Sequence, residues 1–442
     1  MKTIIRKIFS TILADENKHF YNALFFGTLS AVISQGLNFL TLMLITRKIG
    51  ESGIGHFSII QSTVIMLLTF GILGQNVSQA VLISRFKKNN PESLGLLVGN
   101  AYLLSLIMMT IIGIFTFLTA EYLFKEIFLD YSIKIFSTGL IILWTTAMTF
   151  DMMQISTLIG LQAYRDLIKT DILKGIISIA VIYPLTIKFG LLGTLPGYLL
   201  SSFLGLLTNQ FFIRKHLRLL NVGIVWRFSV NIIHKILNIG LPIFLASLFI
   251  GFATWYTNKI IFNESFGPAA LGIVFVCRQI MTLIQFIPVQ ISKVLLPIIS
   301  EDTKGKGKSF IMNNSLVFGL SVCLILSVLG LIFENKILLI YKLNPLIASL
   351  PYKVILITVV FSSINMILGQ FVIAGRNPWI RTFADIVISF ILIAGTLLFK
   401  AKYIYVALPL AMMISYFSSD ILLAIYLRGK KLPERIIDSE AD

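Results

Sequence analysis

The segment NESFGPAALGIVFVCRQIMTLIQF, residues 263–286, decides how this chain reads. A polar turn with Gly267 and Pro268 leads into a long apolar run, and inside that run stands Arg278. Arginine keeps its proton in proteins, so it cannot be neutralised to suit an apolar setting. Working outward, the same pattern stands earlier in the chain. RKIGESGIGHFSIIQ, residues 47–61, has glycines at 50 and 55 where the later segment has Gly267 and Gly272, and six residues past the second glycine stand Gln61 and Arg278. GLQAYRDLIKTD (160–171) and GRNPWIRTFAD (375–385) both run from a glycine, past an arginine, to an aspartate, and Pro196 and Pro409 form a third pair in the same order. Three ordered coincidences indicate an internal duplication.

Composition sets the class. Of 442 residues, 57% are hydrophobic and only 13% are charged. A soluble core does not require so much apolar surface, so the chain reads as an all-α polytopic membrane protein. A spanning helix takes about 20 mostly apolar residues. Twelve windows qualify: 22–45, 56–80, 94–119, 135–160, 171–187, 191–212, 236–261, 268–297, 310–333, 349–374, 382–399 and 403–427. The eighth holds Pro288 and Pro297, which predicts a kink.

The net charge of +17 raises the question of nucleic acid, but the distribution of Lys and Arg answers it differently. When a basic residue near a window's end is taken with the adjoining loop, the termini and even-numbered loops carry 24 against 11 for the odd-numbered ones. Only Arg278 and Lys293 then stand within a span. The positive-inside rule puts both termini in the cytoplasm, which requires an even number of spans. No nucleic-acid partner is expected. The organisation that follows is a cytoplasmic N-terminus (1–21), a first six-helix unit (22–212), a basic cytoplasmic loop (213–235), a second six-helix unit (236–427) and a cytoplasmic tail (428–442). Units with even numbers of spans share one orientation, related by an axis along the membrane normal.

Motifs for catalysis are missing. DTKGKGKSF (302–310) ends like a phosphate loop, but Asp302 stands where the first glycine belongs and no strand is predicted before it. His19, His56, His216 and His234 are scattered without metal-ligand spacing, and Cys277 and Cys323 sit in apolar runs. No metal or cofactor is expected. An integral glycosyltransferase or polymerase is the enzyme alternative; it would ordinarily offer carboxylates on a sizeable polar loop, whereas the longest such loop here is basic. The protein is expected not to be an enzyme.

The informative residues are polar ones within spans, because an ionisable group at membrane depth costs roughly 2.5–3.5 kcal/mol on insertion scales. On span eight, Arg278, Thr282 and Gln285 lie within about 60° of one another. Span one carries Ser30, Ser34, Asn38 and Thr41 with Gln35 beside them, span two carries Gln61, and span seven carries Thr254, Asn258 and Lys259. If the halves face each other, spans one, two, seven and eight line one polar cavity with a cationic side. The candidate substrate-contacting set is Arg278, Lys259, Asn258, Gln61, Thr282, Gln285, Asn38 and Ser34, with Asp151 as a possible coupling residue. The blander readings stay open. Serine and threonine stripes also serve helix contacts, Lys259 can snorkel to the surface, and Arg278 can pair with Asp151 or Asp420.

LITRKIGESGIGHFSIIQ, LIGLQAYRD and IIFNESFGPAALGIVFVCRQIMTLIQFIPVQISKVLLPIIS resemble the polysaccharide transporter family, the O-antigen and capsule flippases of the multidrug/oligosaccharidyl-lipid/polysaccharide (MOP) superfamily. The resemblance covers nearly the whole chain. It implies a MATE-like fold of two six-helix bundles around a central cavity. It also implies transfer of an undecaprenyl-diphosphate-linked oligosaccharide, as in lipopolysaccharide O-antigen or capsule synthesis, across the bacterial inner membrane, with polymerase and chain-length proteins as further partners. A multidrug or organic-cation antiporter of the same superfamily is the alternative. Related lipid flippases use cavity cations, and Arg278 matches such a position. The chain departs from the pattern in span seven, where many members have an acid and this one has Asn258 followed by Lys259.

Overall fold

A computed structural model of the protein describes residues 18–121, 131–286, 288–289, 305–374 and 378–429. Among them every regular element is helical: α1 (Lys18–Ile72), α2 (Gln75–Asn89), α3 (Leu94–Leu118), α4 (Tyr131–Gly160), α5 (Tyr164–Phe189), α6 (Leu191–Leu219), α7 (Val230–Phe262), α8 (Gly267–Ile284), α9 (Gly305–Ile332), α10 (Glu334–Ile340), α11 (Pro345–Ala374), α12 (Pro378–Phe399) and α13 (Ile404–Gly429). Ten stretches among the described residues are long and apolar enough to cross a membrane, and one of them, residues 32–87, takes in the expected window 56–80 and the latter part of 22–45. The window 135–160 lies on α4, which is helical but not among those ten. The chain is a multi-pass membrane protein. Lys293, Pro297, Asp302, Gly375 and residues 1–17 and 430–442 lie outside the described residues, as does the side chain of Ser30.

Two connections differ from expectation. The loop foreseen between spans one and two is a single residue: the helix runs on through 46–55 and leaves helical backbone at Gly50, with φ 72° and ψ −178°. Only glycine takes that conformation without a steric penalty. Of the basic stretch 213–235, α6 claims the residues up to Leu219 and α7 those from Val230. The remaining segment lies along α3. Val225 N–H donates to the Gly95 carbonyl at 3.0 Å. Asn100 donates through Nδ2 to the Arg227 carbonyl at 2.8 Å and accepts at Oδ1 from the Ser229 N–H at 2.7 Å.

Helix packing is densest within residues 18–219 and within 230–429, and the two groups meet chiefly where α7 and α8 lie on α1. Lipid tails are as apolar as leucine, so close packing and interhelical hydrogen bonds hold such helices together rather than expulsion of water. At the junction Phe57, Trp144 and Tyr198 cluster with ring centroids 4.9–6.2 Å apart, and Phe275 of α8 meets Phe57 edge-on at 6.0 Å. Trp255 of α7 donates to the Thr63 hydroxyl of α1 at 3.0 Å, both groups buried. With α8 held between its neighbours, eight consecutive residues from Ala270 to Cys277 are buried, and Arg278 is the first that is not.

Candidate functional site

Beyond that buried run, α8 turns its polar stripe into a cavity of about 520 Å³ walled by α1, α7 and α8. Gln61, Asn258, Arg278 and Thr282 all line it, with Thr254 and Gln279. The helical phase accounts for this: Arg278, Gln279 and Thr282 occupy adjoining positions on α8, and Thr254 and Asn258 stand one turn apart on α7. Asn258 is buried, and its Oδ1 accepts no hydrogen bond among the described residues. The Thr282 hydroxyl donates to the Arg278 carbonyl at 2.9 Å, the usual way a helix accommodates threonine.

Arg278 forms no ion pair among the described residues, and neither of the acids weighed as its partner holds it. Asp151 is taken by Lys174 at 2.5 Å and by Asn209 Nδ2 at 2.8 Å. Asp420 is buried on α13 with neither carboxylate oxygen hydrogen-bonded among the described residues. One acid does line the cavity, Asp385 of α12. It is already paired with Arg381 at 2.8 Å, one helical turn away, and Arg381 also donates to the Asn365 side chain at 2.8 Å. Among the described residues, the formal balance at the cavity is therefore one uncompensated cation.

A second cavity, of about 330 Å³, is lined mainly by the first half, with Ser34, Asn38, Asp151, Asp171, Lys174 and Ser201 among its residues. Gln61 and Gln279 line both cavities and form the wall between them. The span-one stripe thus faces α4, α5 and α6, while span two turns toward α7 and α8. Two residues of the expected set line neither cavity. Gln285 donates to the Ser362 hydroxyl of α11. Lys259 lies over the Trp255 ring with Nζ 5.6 Å from its centroid.

Five contributors stand outside the expected set. Gln279 follows Arg278 directly and stands within about 60° of Thr282 on the helical wheel. Asp385 with Arg381 is an i,i+4 pair that spacing could have revealed. Lys174 falls near a window's end, where a basic residue reads with the adjoining loop, and Asn209 has no local signal.

Residues 22–303 match the family described as polysaccharide biosynthesis protein. Among solved structures, the chain is similar to an inward-facing multidrug resistance MATE family transporter of the MOP superfamily, with a TM-score of 0.73 and 14% identity over 92% of this chain and 100% of that one. It is also similar to a MOP superfamily transporter from Pyrococcus furiosus, described as having a binding pocket of reverse polarity, with a TM-score of 0.69 and 15% identity over 94% and 96%. A third, an outward-facing multidrug resistance MATE family transporter, has a TM-score of 0.68 at 14% identity over 94% and 97%. No curated protein matches the chain. The fold is that of the MATE and MOP transporters, and the chain belongs to the polysaccharide biosynthesis protein family.

Proposed function

We propose that this member of the polysaccharide biosynthesis family is a flippase that carries an undecaprenyl-diphosphate-linked oligosaccharide. The cargo is an O-antigen, capsule or exopolysaccharide repeat unit, moved from the cytoplasmic to the periplasmic leaflet of the bacterial inner membrane by alternating access. The observation that supports this best is Arg278, a cation lining a cavity with Gln61, Asn258 and Thr282 and bound to no acid among the described residues. A diphosphate cannot cross hydrocarbon without a polar path, and a guanidinium fork matches phosphate oxygens in geometry and charge. Gln61, Asn258 and Gln279 add amide groups suited to phosphate or sugar oxygens. Moving one charge through 100 mV is worth about 2.3 kcal/mol, so an anion with close to two charges gains about 4–5 kcal/mol on leaving a negative interior.

The experiment is genetic complementation of a flippase-deficient strain. Arg278→Gln should reach the membrane at the wild-type level and fail to restore surface glycan. Full restoration by that variant would remove Arg278 from the mechanism.

An organic-cation antiporter is the second reading, and Asp385 in the cavity is the observation in its favour. Its pairing with Arg381 weakens the attraction it offers a cation. Dye resistance conferred by the wild-type chain and abolished by Asp385→Asn, with no effect on glycan, would favour this reading.

A further inference from the structure

The outer face of α6 carries a groove of a different kind. It is open to one side and is lined by Leu207, Gln210, Phe211, Arg214 and Arg218, among others of the same helix. Leu207, Phe211, Arg214 and Arg218 fall at helical spacing on one side of α6. The residues α6 gives to the second cavity, Tyr198, Ser201, Ser202 and Gly205, stand about half a turn away around the same helix. The groove therefore opens away from the transport cavities, toward lipid. Leu207 is 54% exposed and Phe211 66%, as suits side chains against acyl chains.

The last two turns change character. Arg214 and Arg218 follow the apolar stripe, and neither has an ion-pair partner among the described residues; the neighbouring Lys215 is the one engaged, 3.5 Å from Asp166. Gln210 adds a directed donor. Its Oε1 accepts from Tyr102 Oη at 2.9 Å and from Gln154 Nε2 at 3.1 Å, and its amide nitrogen has no hydrogen-bond partner among the described residues. The Tyr102 ring lies 5.9 Å from that of Trp226, whose 64% exposure fits an aromatic at the level of lipid headgroups. From Phe211 to Arg218 the helix rises about 10 Å, enough to pass from upper acyl chain to phosphate.

We propose that this end of α6 binds the phosphate headgroup of an anionic phospholipid, with Arg214, Arg218 and the Gln210 amide on the phosphate and Leu207 and Phe211 on its acyl chains. The occupant is a resident membrane lipid rather than the transported one. Charge complementarity and the apolar-to-cationic order along one face specify it, and clustered cations near the bilayer surface attract anionic lipid.

The test uses the full chain in mixed phosphatidylglycerol and phosphatidylcholine nanodiscs, with lipids retained after release into detergent counted by native mass spectrometry. The wild type should retain phosphatidylglycerol in preference, and raising NaCl should remove it without affecting phosphatidylcholine. Arg214→Gln with Arg218→Gln should lower that retention by about fivefold per arginine, whereas Arg214→Lys with Arg218→Lys should keep most of it. Lys402→Gln, at an exposed site elsewhere, should change nothing. Salt-insensitive retention by the wild type, or equal retention by the double glutamine variant, would overturn the proposal. So would displacement of the lipid by millimolar inorganic phosphate, which would make this a free-anion site.

Discussion

Gly55 and Gly272 back onto each other's partners across the junction of the two halves. A Cβ at Gly55 would lie 1.7 Å from the Pro268 carbonyl oxygen, and one at Gly272 would lie 2.0 Å from that of Glu51. The two contacts are one relation seen twice: Glu51 follows Gly50 as Pro268 follows Gly267, and each second glycine comes five residues after the first. A contact in which residue i meets j and j's counterpart meets i's is what a twofold relation produces. The repeated glycines thus mark where spans two and eight cross, and the same register sets Gln61 and Arg278 beside one cavity.

Gly55→Ala and Gly272→Ala should each destabilise the protein by about 1–3 kcal/mol, since backbone rather than a movable side chain must give way. Gly36→Ala, with no atom within 4 Å of the new Cβ, is the control and should be near neutral. Thermal unfolding in detergent measures this. Two unequal effects, one near zero, would count against the shared crossing.

Because Gln61 and Arg278 are repeat partners lining the same cavity, the cation should be movable. Arg278→Gln is expected to lose transport, and adding Gln61→Arg should return a measurable part of it. Surface glycan in a complementation assay is the readout. The exchange keeps the cavity's charge and shifts its position, so recovery separates a requirement for charge from a requirement for this one helix. If the double variant is as silent as Arg278→Gln while both reach the membrane, position matters and charge alone is insufficient.

How much of this was legible follows from what each signal encodes. Apolar run length exposed the spans, and glycine spacing exposed the duplication and the register of Gln61 with Arg278. Helical phase placed Arg278, Thr282 and Gln285 on one side, yet Gln285 turns to Ser362 because the position of α11 beside it is a tertiary fact. For the same reason Ser34 and Asn38 could be recognised as a polar stripe but not assigned to the second cavity, which depends on where α4, α5 and α6 pack. The segment 46–55 looked like a loop from its polar residues and glycines. Only Gly50 departs from helical backbone, and composition does not report how many residues a bend needs.

Asp151 and Lys174 test whether a membrane acid is structural or coupled. Their side chains are 22% and 16% exposed, and they form a direct pair at 2.5 Å. Removing one partner leaves a charge with little solvation, so Asp151→Asn or Lys174→Met should each cost roughly 1–3 kcal/mol, below the range for fully buried pairs because the cavity admits solvation. The double variant should recover most of the loss. Unfolding curves of the three variants give the coupling energy. Loss of transport in Asp151→Asn with unchanged stability and an active Lys174→Met would assign Asp151 to coupling instead.

Two of the hydrogen bonds that dock the connection between the halves come from one side chain. Asn100, fully buried, donates to the Arg227 carbonyl and accepts from the Ser229 N–H, at 2.8 and 2.7 Å. Replacing it with alanine removes both bonds at once and leaves two backbone groups to find other partners, at about 1–3 kcal/mol each when buried. Arg227 lies within that segment, so trypsin reports directly on whether it stays docked. Asn100→Ala should be cut after Arg227 faster than wild type by a factor that grows with the opening equilibrium, at a protease level where reclosing outpaces cleavage. Asn100→Asp keeps an acceptor for the Ser229 N–H but loses the donor to Arg227, and should fall between the two. Equal cutting rates for wild type and Asn100→Ala would mean that the Val225–Gly95 backbone bond holds the segment on its own.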